Sequence, residues 1–198
     1  MKLLLFSDIH NDWKTLERIL NVEADYYISA GDQVSWARGL DRAGEILKTR
    51  GEKVWVLPGN HETESDIAGI CARCGLNDFH GRQFAVDGWT IAGLGYSSPT
   101  PFDTPGEYSE AEIARRLEAF AGIEKLVLVC HAPPRDTALD QVKPGLHAGS
   151  TAVREFLEKY QPEYFFCGHI HEAEGVEIQI GRTRARNLGK KEFLLELT

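Results

Sequence analysis

Lys2-Leu3-Leu4-Leu5-Phe6-Ser7-Asp8-Ile9-His10-Asn11-Asp12 is the stretch from which the fold of this chain is read. Residues 2–7 form an apolar run of strand length that ends as Ser7 and Asp8 bring in polar groups. Asn11 or Asp12 can cap a helix, since a short side-chain oxygen there accepts a bond from an unpaired N–H of the first turn. Trp13, Leu16, Ile19 and Leu20 then recur at the spacing of one helix face. The segment predicts a strand, a turn rich in chemical groups, and a helix.

That order repeats along the chain. Tyr26-Tyr27-Ile28-Ser29 is a second short strand ending at Gly31, residues 40–49 read as helix, and residues 53–57 form a third strand stopped by Pro58-Gly59. A helix is predicted from 63 to about 74, and paired strands over 84–94 around Asp87-Gly88. Residues 109–121 read as a helix, with Glu112 completing a capping box on Ser109. Residues 126–130 are an all-apolar strand, and a helix near 150–160 leads into Tyr164-Phe165-Phe166-Cys167. Strands near 175–180, 183–187 and 192–197 close the chain. Short apolar strands alternating with helices imply sheets buried on both faces. The expected fold is α/β, an αββα sandwich of two sheets, forming a single domain over residues 1–198. Residues 96–108 carry three prolines between a strand and a helix, and are expected to form a rim or lid.

Composition narrows the partners. The formal net charge of -8 gives no general attraction to polyanions, so nucleic acid is not expected and a small phosphorylated substrate suits the balance better. No apolar stretch approaches the roughly 18 to 20 residues of a membrane span, and the run after Lys2 is too short for a secretory signal. Cys71, Cys74, Cys130 and Cys167 fit reduced thiols better than a disulfide framework. The expected location is therefore the cytoplasm.

Five motifs each follow a predicted strand: Asp8-Ile9-His10, Gly31-Asp32, Gly59-Asn60-His61-Glu62, His131, and Gly168-His169-Ile170-His171. Sites in α/β sheets lie beyond the carboxyl ends of strands, so these separate segments should converge on one rim. In this order the motifs resemble the calcineurin-like metallophosphoesterase superfamily, with its D-x-H, G-D, G-N-H-D/E, H and G-H-x-H pattern, and the length is similar to its compact bacterial and archaeal members. The resemblance implies that Asp8, His10 and His171 hold one metal and Asn60, His131 and His169 another. It also implies that Asp32 bridges both and that His61 is the catalytic histidine. Such donors suit Mn, Fe, Zn or Ni, and two ions can share a hydroxide that attacks phosphorus. The Asn60 amide brings no charge, so its ion is the stronger Lewis acid, and His61 can donate to the phosphoryl oxygen or the leaving group. Glu62 is expected to orient a ligand.

The leading reading is a dinuclear-metal phosphodiesterase acting on a small phosphoester such as a nucleotide or cyclic nucleotide. The alternative is a phosphomonoesterase or protein phosphatase, although Gln33 to Arg38 and Asn11 depart from the phosphatase pattern. A third is a metal-containing binding module without turnover. Several other residues are open or expected to be bland. His147 either approaches the site or caps the next helix. Phe102 and Tyr108 either stack on a base or aryl group or anchor their loop, and Arg135 and Asp136 either reach substrate or pair at the surface. His80 is expected in a surface loop, and Cys71 and Cys74 lack a second cysteine pair for zinc.

Overall fold

The computed structural model describes residues 1–198. Its first sheet contains β1 (Lys2–Phe6), β2 (Tyr26–Ser29), β3 (Val54–Val56) and β4 (Asn77–Asp78), running parallel in that order. The second sheet contains β5 (Arg82–Val86), β6 (Trp89–Leu94) and β7 (Leu126–Cys130). A small hairpin, β8 (Gln141–Lys143) with β9 (Leu146–His147), stands apart from both sheets. The strand β10 (Tyr164–Cys167), with β11 (Glu177–Ile180) and β12 (Thr183–Asn187), completes the second sheet in the order β11-β12-β10-β7-β6-β5. Finally β13 (Phe193–Glu196) returns to the first sheet, antiparallel to β1. In the second sheet β12, β10, β7 and β6 are parallel, and only the edge strands β11 and β5 run against them.

Alternation along the strands explains the layering. Leu3 and Leu5 of β1 pack with Ile28, Ile91, Val127, Val129 and Phe166 between the two sheets. Leu4 and Phe6 point the other way, toward the helices α1 (Trp13–Leu20), α2 (Leu40–Leu47) and α3 (Glu64–Cys74), through Leu16, Ile19, Leu47 and Ile67. Leu126, Leu128, Phe165 and Cys167 face α4 (Glu110–Leu117) and α5 (Thr151–Tyr160) through Ile113, Leu117, Val153 and Leu157. Both sheets are thus covered on both faces, as continuous apolar strands require. Each such side chain, fully buried, contributes about 1.5–3 kcal/mol of transfer free energy.

Local signals were met with two differences. Asp12 is the residue that caps α1, accepting from Thr15 N at 3.1 Å, and Asp87 and Gly88, both at positive φ, turn β5 into β6. The capping box expected on Ser109 is half formed. Its hydroxyl accepts from Glu112 N, but the Glu112 carboxylate turns to Arg115 and Arg116 at 2.6 and 2.7 Å, because charged donors outbid a neutral N–H. The complete box lies instead at Thr63 and Asp66. His80 is the second difference. It is 5% exposed, accepting from Gly95 N through Nδ1 and standing 3.0 Å from the Tyr108 hydroxyl through Nε2. It is an internal strut and no surface loop residue, and burial pulls it down to about 4.

Candidate metal centre

The turns after β1, β2, β3, β7 and β10 carry the motif residues, and the parallel pairing of these strands puts all five turns at one end of the two sheets. Tight backbone geometry aims the side chains. Asp8, His10, Asp32 and His169 all adopt positive φ, at 56°, 45°, 56° and 69°. Aspartate and histidine tolerate this region better than bulky or branched residues, yet each such residue still costs roughly 1–3 kcal/mol, and such outliers gather where position matters to function. Gly31 has φ 101°, and a Cβ there would come within 2.6 Å of His131 Nδ1. A Cβ on Gly168 would collide with Ser7 Oγ and Asp8 Oδ2, so glycine is what allows the two sheets' turns to meet.

All eight sequence-derived candidates stand together. Near one end, His10 Nε2 and His171 Nε2 approach to 3.0 Å, with Asp8 Oδ1 3.5 Å from the latter. Near the other, Asn60 Oδ1 is 3.1 Å from His131 Nε2 and 2.9 Å from His169 Nδ1. Between them lies Asp32 Oδ2, 3.5 Å from His10 Nε2 and 3.4 Å from His131 Nε2. Ligand atoms of Asp8, His10 and His171, and of Asp32, His131 and His169, lie within 4.8 Å of one another as two groups. A third such group joins His61 to His10 and Asp32.

The tautomers suit cation binding. Ala30 O can only accept, so His131 Nδ1 at 2.8 Å donates to it and Nε2 faces Asp32 and Asn60. His10 Nδ1 is likewise engaged by Ser35 Oγ at 3.1 Å. Trp36 N–H can only donate, so His61 Nδ1 accepts it at 3.2 Å and the neutral ring carries its proton on Nε2. His61 therefore presents a donor on Nε2 toward the centre.

Electrostatics agree with this division. Burial pushes Asp32 upward, but the charge of His131 and its hydrogen bond prevail and hold the carboxyl below its ordinary value. His131 is raised to about 9, the attraction of Asp32 overcoming burial. Asp8 is held low by its bond to His171 and the charge of His131, against burial, whereas burial and then His131 bring His169 down to about 4. Ionised carboxylates beside crowded imidazoles form a site in which a cation would replace protons. The donor set of carboxylate, amide and imidazole fits hard to borderline divalent ions.

Supporting contacts fix these groups. Glu62, fully buried, accepts the backbone N–H groups of Asp32, Val34 and Gly59 at 3.0, 2.9 and 2.8 Å, clamping the β2 and β3 turns together. Burial and the charge of Asp32 push it up to about 8 against these bonds. Glu62→Gln would set an NH₂ against one of these donors. We expect a loss of about 1–3 kcal/mol in chemical denaturation of the metal-free protein, and unchanged stability would remove the clamp from the account. Three supports escaped sequence reading. Asn60 Nδ2 donates to Thr104 Oγ1 at 3.2 Å, which leaves Oδ1 facing the histidines. Asn187 Nδ2 donates to the carbonyls of Leu139, Gly168 and Ile170, holding the His169 turn. Asp140, in the loop after His131, is fully buried and bonded to His147. Thr104 and Asp140 belong to loops and Asn187 to the last position of β12, where periodicity gives no signal.

A cavity of about 610 Å³ opens over the centre, lined by His10, Asp32, Asn60, His61, His169 and His171 on its floor. Ser98 to Phe102 of the proline-rich segment and Val142, Leu146 and His147 of the hairpin also line it, so that segment is a rim. Phe102 is 71% exposed in it, whereas Tyr108 bonds His80 and lies under Arg116, anchoring the loop. Arg135 reaches the cavity and Asp136 does not. Cys71, Cys74, Cys130 and Cys167 are all free and buried, and none of them lines the cavity.

A family model described as calcineurin-like phosphoesterase matches residues 1–173. Uncharacterized protein MJ1162 of Methanocaldococcus jannaschii is 29% identical over 205 residues, covering 98% of this chain and 91% of that protein. Among solved structures, TT1561 of Thermus thermophilus superimposes with a TM-score of 0.71 at 16% identity, covering 98% of this chain and 97% of that one. The phosphopantetheinyl hydrolase PptH of Mycobacterium tuberculosis gives a TM-score of 0.68 at 18% identity, over 95% and 89% of the two chains.

Proposed function

The chain belongs to the calcineurin-like phosphoesterase family and is a phosphoric ester hydrolase, and from that premise we propose that it is a dinuclear-metal phosphodiesterase for a small phosphoester such as a nucleotide or cyclic nucleotide. The observation that carries this reading is the place of Asp32 Oδ2, within 3.5 Å of His10 Nε2 and 3.4 Å of His131 Nε2, where one oxygen serves two ligand groups. Asp8, His10 and His171 would hold one ion, Asn60, His131 and His169 the other, and Asp32 both. When bound, the ions supply Lewis acidity to the phosphoryl oxygens and lower the pKa of the attacking water. Asp32 and Asn60 line the cavity floor, so ions held there with the help of the buried Asp8 would face a bound ester. His61 Nε2–H is the available donor to a phosphoryl oxygen or the leaving group.

Support for a diester comes from the cavity wall. Arg135 is the one arginine lining it, and lysine is absent there, so little cationic charge is at hand for a phosphate dianion beyond the ions themselves. Phe102, Leu146, Val142 and Pro101 offer apolar surface for an organic group on the ester, such as a base. A cavity of about 610 Å³ is of small-molecule size. Residues 1–198 acting as one domain in the cytoplasm complete the proposal; no helix is long and apolar enough to cross a membrane, and the four thiols are free.

The test is turnover of bis-p-nitrophenyl phosphate against p-nitrophenyl phosphate by chelated protein reloaded separately with Mn, Fe, Zn, Ni or Mg. A metal-dependent preference for the diester is expected. Preference for the monoester would turn the assignment to a phosphatase, and two bound ions with no turnover of any ester would turn it to a binding module.

A further inference from the structure

Loop residues 131–150, between β7 and α5, fold around one buried carboxylate. Asp140 accepts the backbone N–H groups of Asp136, Thr137 and Gly149 at 3.2, 2.9 and 2.9 Å, and its Oδ1 lies 2.7 Å from His147 Nδ1. A group already accepting three N–H bonds accepts from the histidine too, so Nδ1 carries a proton and the far edge of the ring, with Nε2, is left over. That ring lines the same cavity as His10, Asp32, His61 and His169, with its side chain 23% exposed. A buried carboxylate that fixes the tautomer and orientation of a histidine is a recurrent way to prepare proton transfer. The helix does not need His147 as its cap, since Ser150 caps α5 with its own hydroxyl.

Resting on the phosphohydrolase reading, we propose that His147 is a second catalytic histidine, held by Asp140, which protonates the leaving oxygen of the phosphoester. Its surroundings separate its role from that of His61. His61 sits on the turn after β3, its backbone N–H on Asp32 Oδ1 at 3.0 Å and its ring 5.0 Å from that of His10, close to where phosphoryl oxygens would bind. His147 belongs to the hairpin that brings Val142 and Leu146 to the cavity, Leu146 being 45% exposed, and an organic leaving group would be held against these side chains. In the step, water oxygen bonds to phosphorus and the bond from phosphorus to the leaving oxygen breaks. That oxygen keeps the electron pair and takes the Nε2 proton of the doubly protonated His147 ring, which falls back to the neutral form with its proton on Nδ1 toward Asp140. The attacking water yields its proton to solvent, from which His147 regains one, so one water is consumed and one alcohol is released with the phosphate product.

The experiment compares wild type with His147→Asn and His147→Ala, each loaded with the metal that gives wild type its fastest turnover. Asparagine keeps a donor toward Asp140 and so preserves the loop, but it has no proton to transfer. The substrates are aryl diesters whose leaving phenols range from p-nitrophenol to phenol itself. Both variants should lose about 100-fold or more in kcat on the phenyl ester and less than about 10-fold on the nitrophenyl ester. In nitrogen NMR of the metal-free protein, His147 should show a protonated Nδ1 that Asp140→Asn displaces. Equal losses across the series, no loss, or a proton on Nε2 alone would overturn the dyad and leave the hydrolase reading standing. Wild type inactive on every ester would overturn both.

Discussion

Asp32→Ala is expected to strip the protein of its metal and of its activity together. Orienting partners of metal ligands alone are worth about 10–100-fold in affinity, so removing an oxygen shared by two sites should exceed 100-fold. After dialysis the variant should hold less than one ion per chain, and turnover of bis-p-nitrophenyl phosphate should fall to background. Asp32 is 2% exposed, and its other oxygen accepts the His61 backbone N–H at 3.0 Å, so the substitution also loosens the turn after β3. The metal-free proteins give an independent reading. His131, raised from 6.5 to about 9, contributes stability present in full below 6.5 and lost as pH climbs through 9. Glu62, raised from 4.5 to about 8, adds a slope of the same sign between those values. Chelated wild type should therefore lose stability on going from pH 6.5 to 9, above the range in which the lowered His80 and His169 give a slope of the opposite sign. Without Asp32, the largest attraction on His131 and a repulsion on Glu62 vanish, and the slope should flatten. Retention of two tightly bound ions by Asp32→Ala would refute the bridging role.

How much of this was written in the sequence follows from the range of the forces involved. The layers were legible because β1 alternates in register with both of its neighbours: Leu3 and Leu5 must meet the other sheet if Leu4 and Phe6 meet α1 to α3. The candidate centre was legible for a related reason. Parallel strands put their following turns at one end, so Asp8, Asp32 and Asn60 could be brought together with His131 and His169 before any coordinate was known.

What local patterning does not carry is the competition for a partner. Glu112 had the spacing to close a capping box, but Arg115 and Arg116 lay one turn away and took its charge. His80 had polar neighbours in Asn77 and Asp78, yet its ring is claimed by Gly95 and Tyr108, residues 15 and 28 positions later. Asp140, Thr104 and Asn187 are similar cases, single polar residues whose meaning comes from contacts made across loops. Whether His147 approaches the site or caps the next helix depends on Asp140, seven positions earlier and just ahead of a hairpin with almost no strand signal.

His61→Ala, by contrast with Asp32→Ala, should leave the metal in place. No backbone contact depends on the His61 side chain except the Trp36 N–H, which lies at an exposed position and can turn to water. The His61 backbone N–H still reaches Asp32 Oδ1, and Glu62 still clamps Asp32 and Gly59. Loss of a positioned proton donor to a phosphoryl oxygen should lower kcat by about 10²- to 10⁴-fold with little change in KM. Because that oxygen is common to every ester, the loss should be the same for phenyl and nitrophenyl substrates, the opposite of the pattern expected at His147. The competing possibility is concrete, since His61 groups with His10 and Asp32 within ligand distance of one another. Were it a ligand, its removal would lower the ion count. Trp36 N–H argues otherwise: it occupies Nδ1 and leaves a proton on Nε2, and a ring nitrogen bearing a proton cannot ligate. Metal analysis beside steady-state kinetics on the same preparation decides between them.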